Sequence, residues 1–416
     1  FFEPSADGGD PTYAFVGNRA TLGVRVQSRR LEVQGAFQYA QLVGLPRGAV
    51  GPGPLGPGPV YFHAAQNSRA YQLYFKSMSI RMKEVVPGLS IEAGRMAYAS
   101  NPESARLSGR LIGNADWTMS ERAFDGVRVD YANPDWQARA SYVMPTQGAY
   151  EESASPTMGK VRVSTLSFSS GGASLFGHHY RDTRPIRVRP DNGIAIPDAV
   201  KISIGTIGAS HVREYRLGNG RAQTVVWAAT QFGDWYGDLH HAFSAIADAG
   251  YRWPQTRWAP AIRGGIVYAS GDGMPLDGTH RTFFPMLPTT RPDLLAGTYA
   301  QMNLRDLSAE VRVQPHARVG VSVELHRLSL VDANDHWYSG TGATAVRGNY
   351  FGYSSRLSGG ETALGTFLQT SAEARLTKWW TMNASVGLVS GGAVVRRQFA
   401  GHRLTIVTLE SRWAFE

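Results

Sequence analysis

HRLTIVTLESRWAFE, residues 402–416, alternates along its length: Val407, Leu409, Trp413 and Phe415 fall on one side of an extended chain, Glu410 and Arg412 on the other. Such a period makes a strand with one apolar and one polar face. Its aromatic end suits the last strand of an outer-membrane barrel, which turns apolar side chains to lipid, polar ones to a lumen and a ring to the interface. A soluble sheet can also end this way, so the rest of the chain has to decide.

Composition narrows the choice. The 416 residues have room for two or three soluble domains or one large barrel. With 47 Gly, 18 Tyr, 10 Trp and only 18% charged residues, the chain suits strands and tight turns better than helices. No apolar run approaches the ~18 residues of a spanning helix, so any membrane span is made of strands. A mean hydropathy of −0.24 agrees, because only every second strand residue of a barrel meets lipid. Cysteine is absent, which removes disulfides, thiolate metal sites and thiol nucleophiles. Net charge is +9, and 37 of the 42 basic residues are Arg. A pocket rich in Arg favours anions, since the guanidinium is always charged and forks onto carboxylate or phosphate; GC-rich codon usage is the plainer source of the same bias.

Working back from the C-terminus, the alternation recurs. "NRATLGVRVQ" sets Leu22, Val24 and Val26 against Arg19, Thr21, Arg25 and Gln27; "RLEVQGAFQYA" sets Leu31, Val33, Phe37 and Tyr39 against Glu32, Gln34 and Gln38. "RAFDGVRVDYA", "WQARASYV", "LHHAFSAIADAGYRW", "LSAEVRVQ", "RVGVSVELH" and "SAEARLT" repeat it. Long connections at 43–67, 99–119, 146–158, 184–199, 271–296, 331–361 and 392–401 interleave with short ones near 28–30, 84–88, 133–135, 170–172, 214–220, 254–259, 314–317 and 377–380. That is the asymmetry of a barrel with extracellular loops and periplasmic turns. Trp136, Trp253, Trp258, Trp379, Trp380 and Trp413 sit at the short-turn end, where an interfacial girdle belongs. The reading yields 17 strands. Bacterial single-chain barrels have an even number, so either one strand precedes Phe1 or the count is off by one.

Four stretches carry a family resemblance. "SIEAGRMAYAS", "SARLSGRLIGNADW", "ERAFDGVRVDY" and "YASGDGMPLDGTHRTFFPMLPT" occur in the order found in the alginate-export family of Gram-negative outer-membrane proteins, which the chain resembles. The resemblance implies an all-β, 18-stranded transmembrane antiparallel barrel over 1–416, with an Arg-lined constriction. By motif, Arg25 in "LGVRV" and Arg95 in "AGRM" match family arginines that project into the pore. The chain departs from the family where the alginate exporter has an R-F-R strand: "MNASVGLV" places Asn383 and Ser385 there, which bears on polyuronate specificity and not on the barrel.

Alternation and motif together nominate Arg19, Arg25, Arg95, Arg122, Arg128, Arg139, Arg252, Arg263 and Arg312 as lumen arginines. Glu32, Glu92, Asp130, Asp248, Glu310 and Glu373 are expected to hold them in place. The competing role for any of these charges is a structural ladder across the wall. No nucleophile elbow, P-loop or H-E-x-x-H is present, and the His pairs in "GHHYRD" and "DLHHAF" point to opposite strand faces and cannot chelate one metal. "SGDGMPLDG" and "DANDHWYSG" lack a full calcium-loop pattern. The run "GPGPLGPGP" is expected to form neither strand nor helix. Arginines spread along strands do not make a nucleic-acid site. The expected protein is a monomeric Gram-negative outer-membrane channel without enzymatic activity or cofactor. It would pass anionic solutes such as acidic polysaccharide or organic acids, with loops 43–67, 271–296 and 331–361 as lids. The alternative is a closed barrel that scaffolds a periplasmic electron-transfer or export partner.

Overall fold

The computed structural model describes residues 12–48, 56–102, 104–148, 155–187, 189, 191, 199–289, 298–344 and 352–415. Phe1, residues 51–55 of the proline-glycine run and parts of the long loops, on which expectations fall, lie outside them. Seventeen long strands form one antiparallel sheet in which each pairs with the next along the chain.

In order these are β1 (Val16–Gln27), β2 (Leu31–Val43), β3 (Arg69–Met82), β4 (Leu89–Met96), β5 (Phe124–Ala132) and β6 (Trp136–Pro145). Next come β7 (Val161–Ser170), β8 (Ala173–Asp182), β9 (Ile202–Leu217), β10 (Gly220–Trp235), β11 (Asp238–Arg252) and β12 (Ala261–Ala269). A two-residue strand, β13 (Thr279–His280), runs parallel to β11. The wall continues with β14 (Leu304–His316) and β15 (Val319–Leu330), passes a separate hairpin of β16 (Trp337–Gly340) and β17 (Tyr353–Arg356), and finishes with β18 (Ala363–Arg375), β19 (Trp380–Gly391) and β20 (Arg403–Trp413). Among the described residues β1 pairs only with β2 and β20 only with β19, and these two edge strands run in the same direction.

The alternation read from the sequence is the inside–outside code of this wall. Leu22, Val24, Leu73, Leu166, Leu175, Val407 and Leu409 are exposed on its outer face, where lipid takes the place of water. Gln38, Tyr74, Thr206, Gln231 and Ser244 point inward and are buried. Each His pair splits as expected: His178 and His240 are buried inside, His179 and His241 exposed outside. At the short-turn end Trp380 and Trp413 stack with centroids 4.5 Å apart, and Trp136 packs on Tyr131 and Phe168.

Two local readings are corrected. The interleaving of long and short connections has an exception at β10–β11, joined on the long-loop side by Tyr236–Gly237 alone. Both residues have positive φ, 55° and 95°, the backbone that matches the twist of a two-residue hairpin. The proline-glycine run ends in a helix, α1 (Pro57–Ala65), because a proline in the first helical turn lacks only an N–H that has no partner there. A second short helix, α2 (Ala393–Gln398), lies between β19 and β20.

Candidate functional site

The two halves of the lumen differ. In the long-loop half, segments 97–102, 104–123, 270–289 and 298–303 and the β16–β17 hairpin fold inward and pack on the wall. Tyr98, Leu107, Leu111, Ile112, Phe283, Phe284, Met286, Leu287 and Tyr353 form one apolar cluster with inward wall residues such as Val163, Tyr180, Ile204 and Trp227. Burying this much apolar surface holds segments that have at most a short ladder of their own. Ile112 and Leu287 bridge two of them. Arg122, 1% exposed, ties three: its Nη2 donates to the carbonyls of Pro288 and Thr341, both at 2.6 Å. Desolvation lowers its pKa to about 10. Gly342 lies against this guanidinium, and a Cβ there would come within 2.6 Å of Arg122 Nη1. Asp335 accepts from Thr282 Oγ1 and Tyr338 OH at 2.6 Å and from the Asp272 amide at 2.9 Å; burial raises its pKa to about 6. The two acidic loop motifs therefore meet and hold each other.

In the short-turn half the wall is lined by charge. On β3–β6 the charges form a ladder of ion pairs: Arg128 meets Glu92 at 2.5 Å and Asp130 at 3.1 Å, and Asp130 also takes Arg139 at 2.6 Å and Arg81 at 3.6 Å. Arg25 faces Glu32 at 3.6 Å, while Arg19, nearer the long-loop end of β1, binds Glu121 at 2.7 Å and the carbonyls of Asp116 and Thr118. On β3–β6 these charges pair with one another across the wall.

The β9–β15 wall is more open. A cavity of about 920 Å³ lies against it, bounded by Arg106, Arg110, Arg221, Arg252, Arg263 and Arg312 together with Glu214, Glu310 and Glu324. Arg263 binds Asp248 and, at 2.6 Å, Gln223; Arg312 stands 3.5 Å from Glu310 with two-thirds of its side chain exposed. Arg216, Arg221 and Arg252 sit directly opposite one another across β9, β10 and β11. Against these three the near carboxylate is Glu214, 2.7 Å from Arg221. A second hollow of about 530 Å³ beside β15 and β18–β20 is lined by Arg318, Glu373, Arg375, Asn383, Ser385 and Arg412. There Asn383 donates to Glu410 at 3.3 Å, and Ser385 bonds Ser371 at 3.0 Å.

Two nominated arginines stand elsewhere. Arg95 pairs in register with Met78 and Asp125, and Met78 is on the outer face, so Arg95 projects outward near the long-loop end. It makes two 2.8 Å bonds to Asp125. The physical reason is parity: Glu92 faces the lumen, and a residue three positions along an unbulged strand faces away. Arg122 precedes β5 and is sealed among loops instead of lining a wall. Conversely, sequence reasoning passed over Arg216 and Arg221, which alternation with Glu214 could have found, and Arg106. Loop residue Arg106 crosses the lumen to ion-pair with Glu310 and, at 3.8 Å, with Asp248, and no periodicity announces that contact.

An antiparallel wall with a lipid-compatible exterior and a charged interior defines a Gram-negative outer-membrane β-barrel of the porin class. Solved structures share the fold: OccAB3 of Acinetobacter baumannii (11% identity, TM-score 0.56, 95% of this chain and 92% of that one) and OpdK of Pseudomonas aeruginosa (9%, 0.55, 95% and 92%). OpdK has also been solved with vanillate (9%, 0.54, 95% and 96%). The model of the family described as "Alginate export" matches residues 85–406, and the chain belongs to that family. No curated protein matches the chain.

Proposed function

We propose that the protein is a passive channel for anionic solutes. The observation that carries this reading is the arginine-faced cavity in the short-turn half, lined by Arg221 and Arg252, with Arg216 the register partner of Arg221. Fixed charge in a confined lumen is weakly screened and attracts carboxylates. The interspersed Glu214, Glu310 and Glu324 keep any one site shallow enough for an anion to leave. A cavity of about 920 Å³ has the size of a small-ligand site and suits organic acids or a few sugar units. The vanillate complex of OpdK supports a carboxylate cargo by analogy of fold. Asn383 and Ser385, where the alginate exporter has arginines, weigh against a polyuronate specialist.

The test is the reversal potential of the refolded protein in a planar bilayer under a KCl gradient, followed by added benzoate and oligouronate. Anion selectivity with block by the smaller acid is expected. A cation-selective pore would sink the reading. One observation favours the alternative of a closed scaffold for a periplasmic partner: loops fill the long-loop half. That alternative predicts no conductance under any condition.

A further inference from the structure

The outer surface carries a second set of arginines that the channel reading does not use. Arg69, Arg162, Arg181, Arg305, Arg327 and Arg403 are all exposed, and all lie at the long-loop ends of their strands. Parity puts them on the lipid side: Arg69 shares its face with Tyr71 and Leu73, Arg162 with Leu166, Arg181 with Leu175, Arg327 with Leu325 and Arg403 with Val407, each an exposed apolar residue. Among the described residues none of the six has a carboxylate partner. Among the described residues the acids on this part of the outer face are Asp125, already bound to Arg95, and Asp234, on the second strand beyond Arg181 and so ~10 Å away.

The arrangement is densest at β7–β8. Arg162 and Arg181 are directly opposed cross-strand partners. Like charges in that register destabilise a sheet unless something neutralises them. His179 and Ser203 lie beside Arg181 and bond each other at 3.1 Å, while the exposed Lys160 and Lys201 stand just beyond the ends of β7 and β9. Below them the face turns apolar through Leu166, Phe168, Leu175 and Ile207. A ligand for this surface therefore has a doubly charged head at the rim and an acyl body along the wall. Two adjacent guanidinium groups match phosphate oxygens.

We propose that the Arg162–Arg181 pair, with Lys160 and Lys201, is a binding site for a phosphorylated glycolipid of the outer leaflet, the strongest point of a basic collar that fixes the barrel's depth. The full chain, refolded in detergent, is mixed with a bisphosphorylated glucosamine-disaccharide lipid and bound lipid is counted by native mass spectrometry. The same lipid with its phosphates removed and phosphatidylglycerol serve as comparisons. The bisphosphorylated lipid is expected to bind most, and Arg162→Gln with Arg181→Gln to lower its occupancy ~3-fold or more while single-channel conductance stays at the parent value. Arg162→Lys with Arg181→Lys, which keeps the charge but not the fork, should fall between. Equal binding of the dephosphorylated lipid or of phosphatidylglycerol by the parent chain overturns the proposal without any variant, and so does parental occupancy in the glutamine variant. Displacement of the lipid by millimolar inorganic phosphate would assign the site to a free anion instead.

Discussion

The long-loop half of the lumen and the short-turn half are built from the same strands yet solved differently. Above, Phe283, Phe284, Met286 and Leu287 fill the interior with apolar side chains, and Arg122 is buried among them and bonded to backbone carbonyls. Below, the wall stays wet and charge stays in play around an open cavity. The difference teaches that a charged residue inside a barrel is not by that fact a pore residue. An arginine sealed among carbonyls holds structure; one facing water beside too few carboxylates sets a field.

Changes above should therefore act on stability and opening, changes below on selectivity. The largest effect is expected from Arg122→Ala, which strands the Pro288 and Thr341 carbonyls in an apolar core and should cost the loop assembly about 2–4 kcal/mol. Limited proteolysis within 97–123 and 270–289 would become faster and conductance would rise; unchanged cleavage removes Arg122 as the tie. Next comes Arg128→Ala. It leaves Glu92, 3% exposed, with Gln34 and Ser79 alone, and should lower stability by about 2–3 kcal/mol in urea titration with little change in ion selectivity. A large selectivity change there would make the β3–β6 ladder part of the pore.

Arg221→Ala with Arg252→Ala should do the reverse, moving the reversal potential toward cations, roughly halving anion preference, and altering stability by less than about 0.5 kcal/mol.

Acidity offers a reagent-free test of the upper half. His280 and His336 are buried in the loops, and desolvation lowers their pKa values to about 3 and about 4. The unfolded loops bind these protons first, so the stability of the packed loops is full above the ordinary histidine range and declines as pH falls from about 6.5 toward 4. Asp335, raised to about 6, works the other way, gaining stability as pH drops through that value, and offsets part of the loss. Conductance should rise on going from pH 7 to 4.5, and His280→Gln should flatten the rise; a flat parental profile would break the argument. The smallest effect belongs to Arg95→Ala, whose side chain faces outward: the reversal potential should not move. If it does, the register placing Arg95 beside Met78 is wrong.

Much of the fold was legible because a strand has a period of two. Once Val407 and Leu409 were set against Glu410 and Arg412, the same rule located the other wall strands and split both His pairs. The same rule, applied from Glu92, would have turned Arg95 outward, where motif matching had placed it in the pore. Parity is local and survives in the sequence, so the sequence by itself determined an all-β membrane wall, its two faces and the girdle at one end. It did not determine which arginines are spent on structure. Arg106 meets Glu310 across 204 residues, and Arg122 meets Thr341 across 219. Such contacts depend on loops folding back into the lumen, driven by burial of Leu107, Ile112 and Phe283, and no repeat in the chain encodes them. Only the tertiary structure could decide which half of the lumen is filled and which is left open to charge.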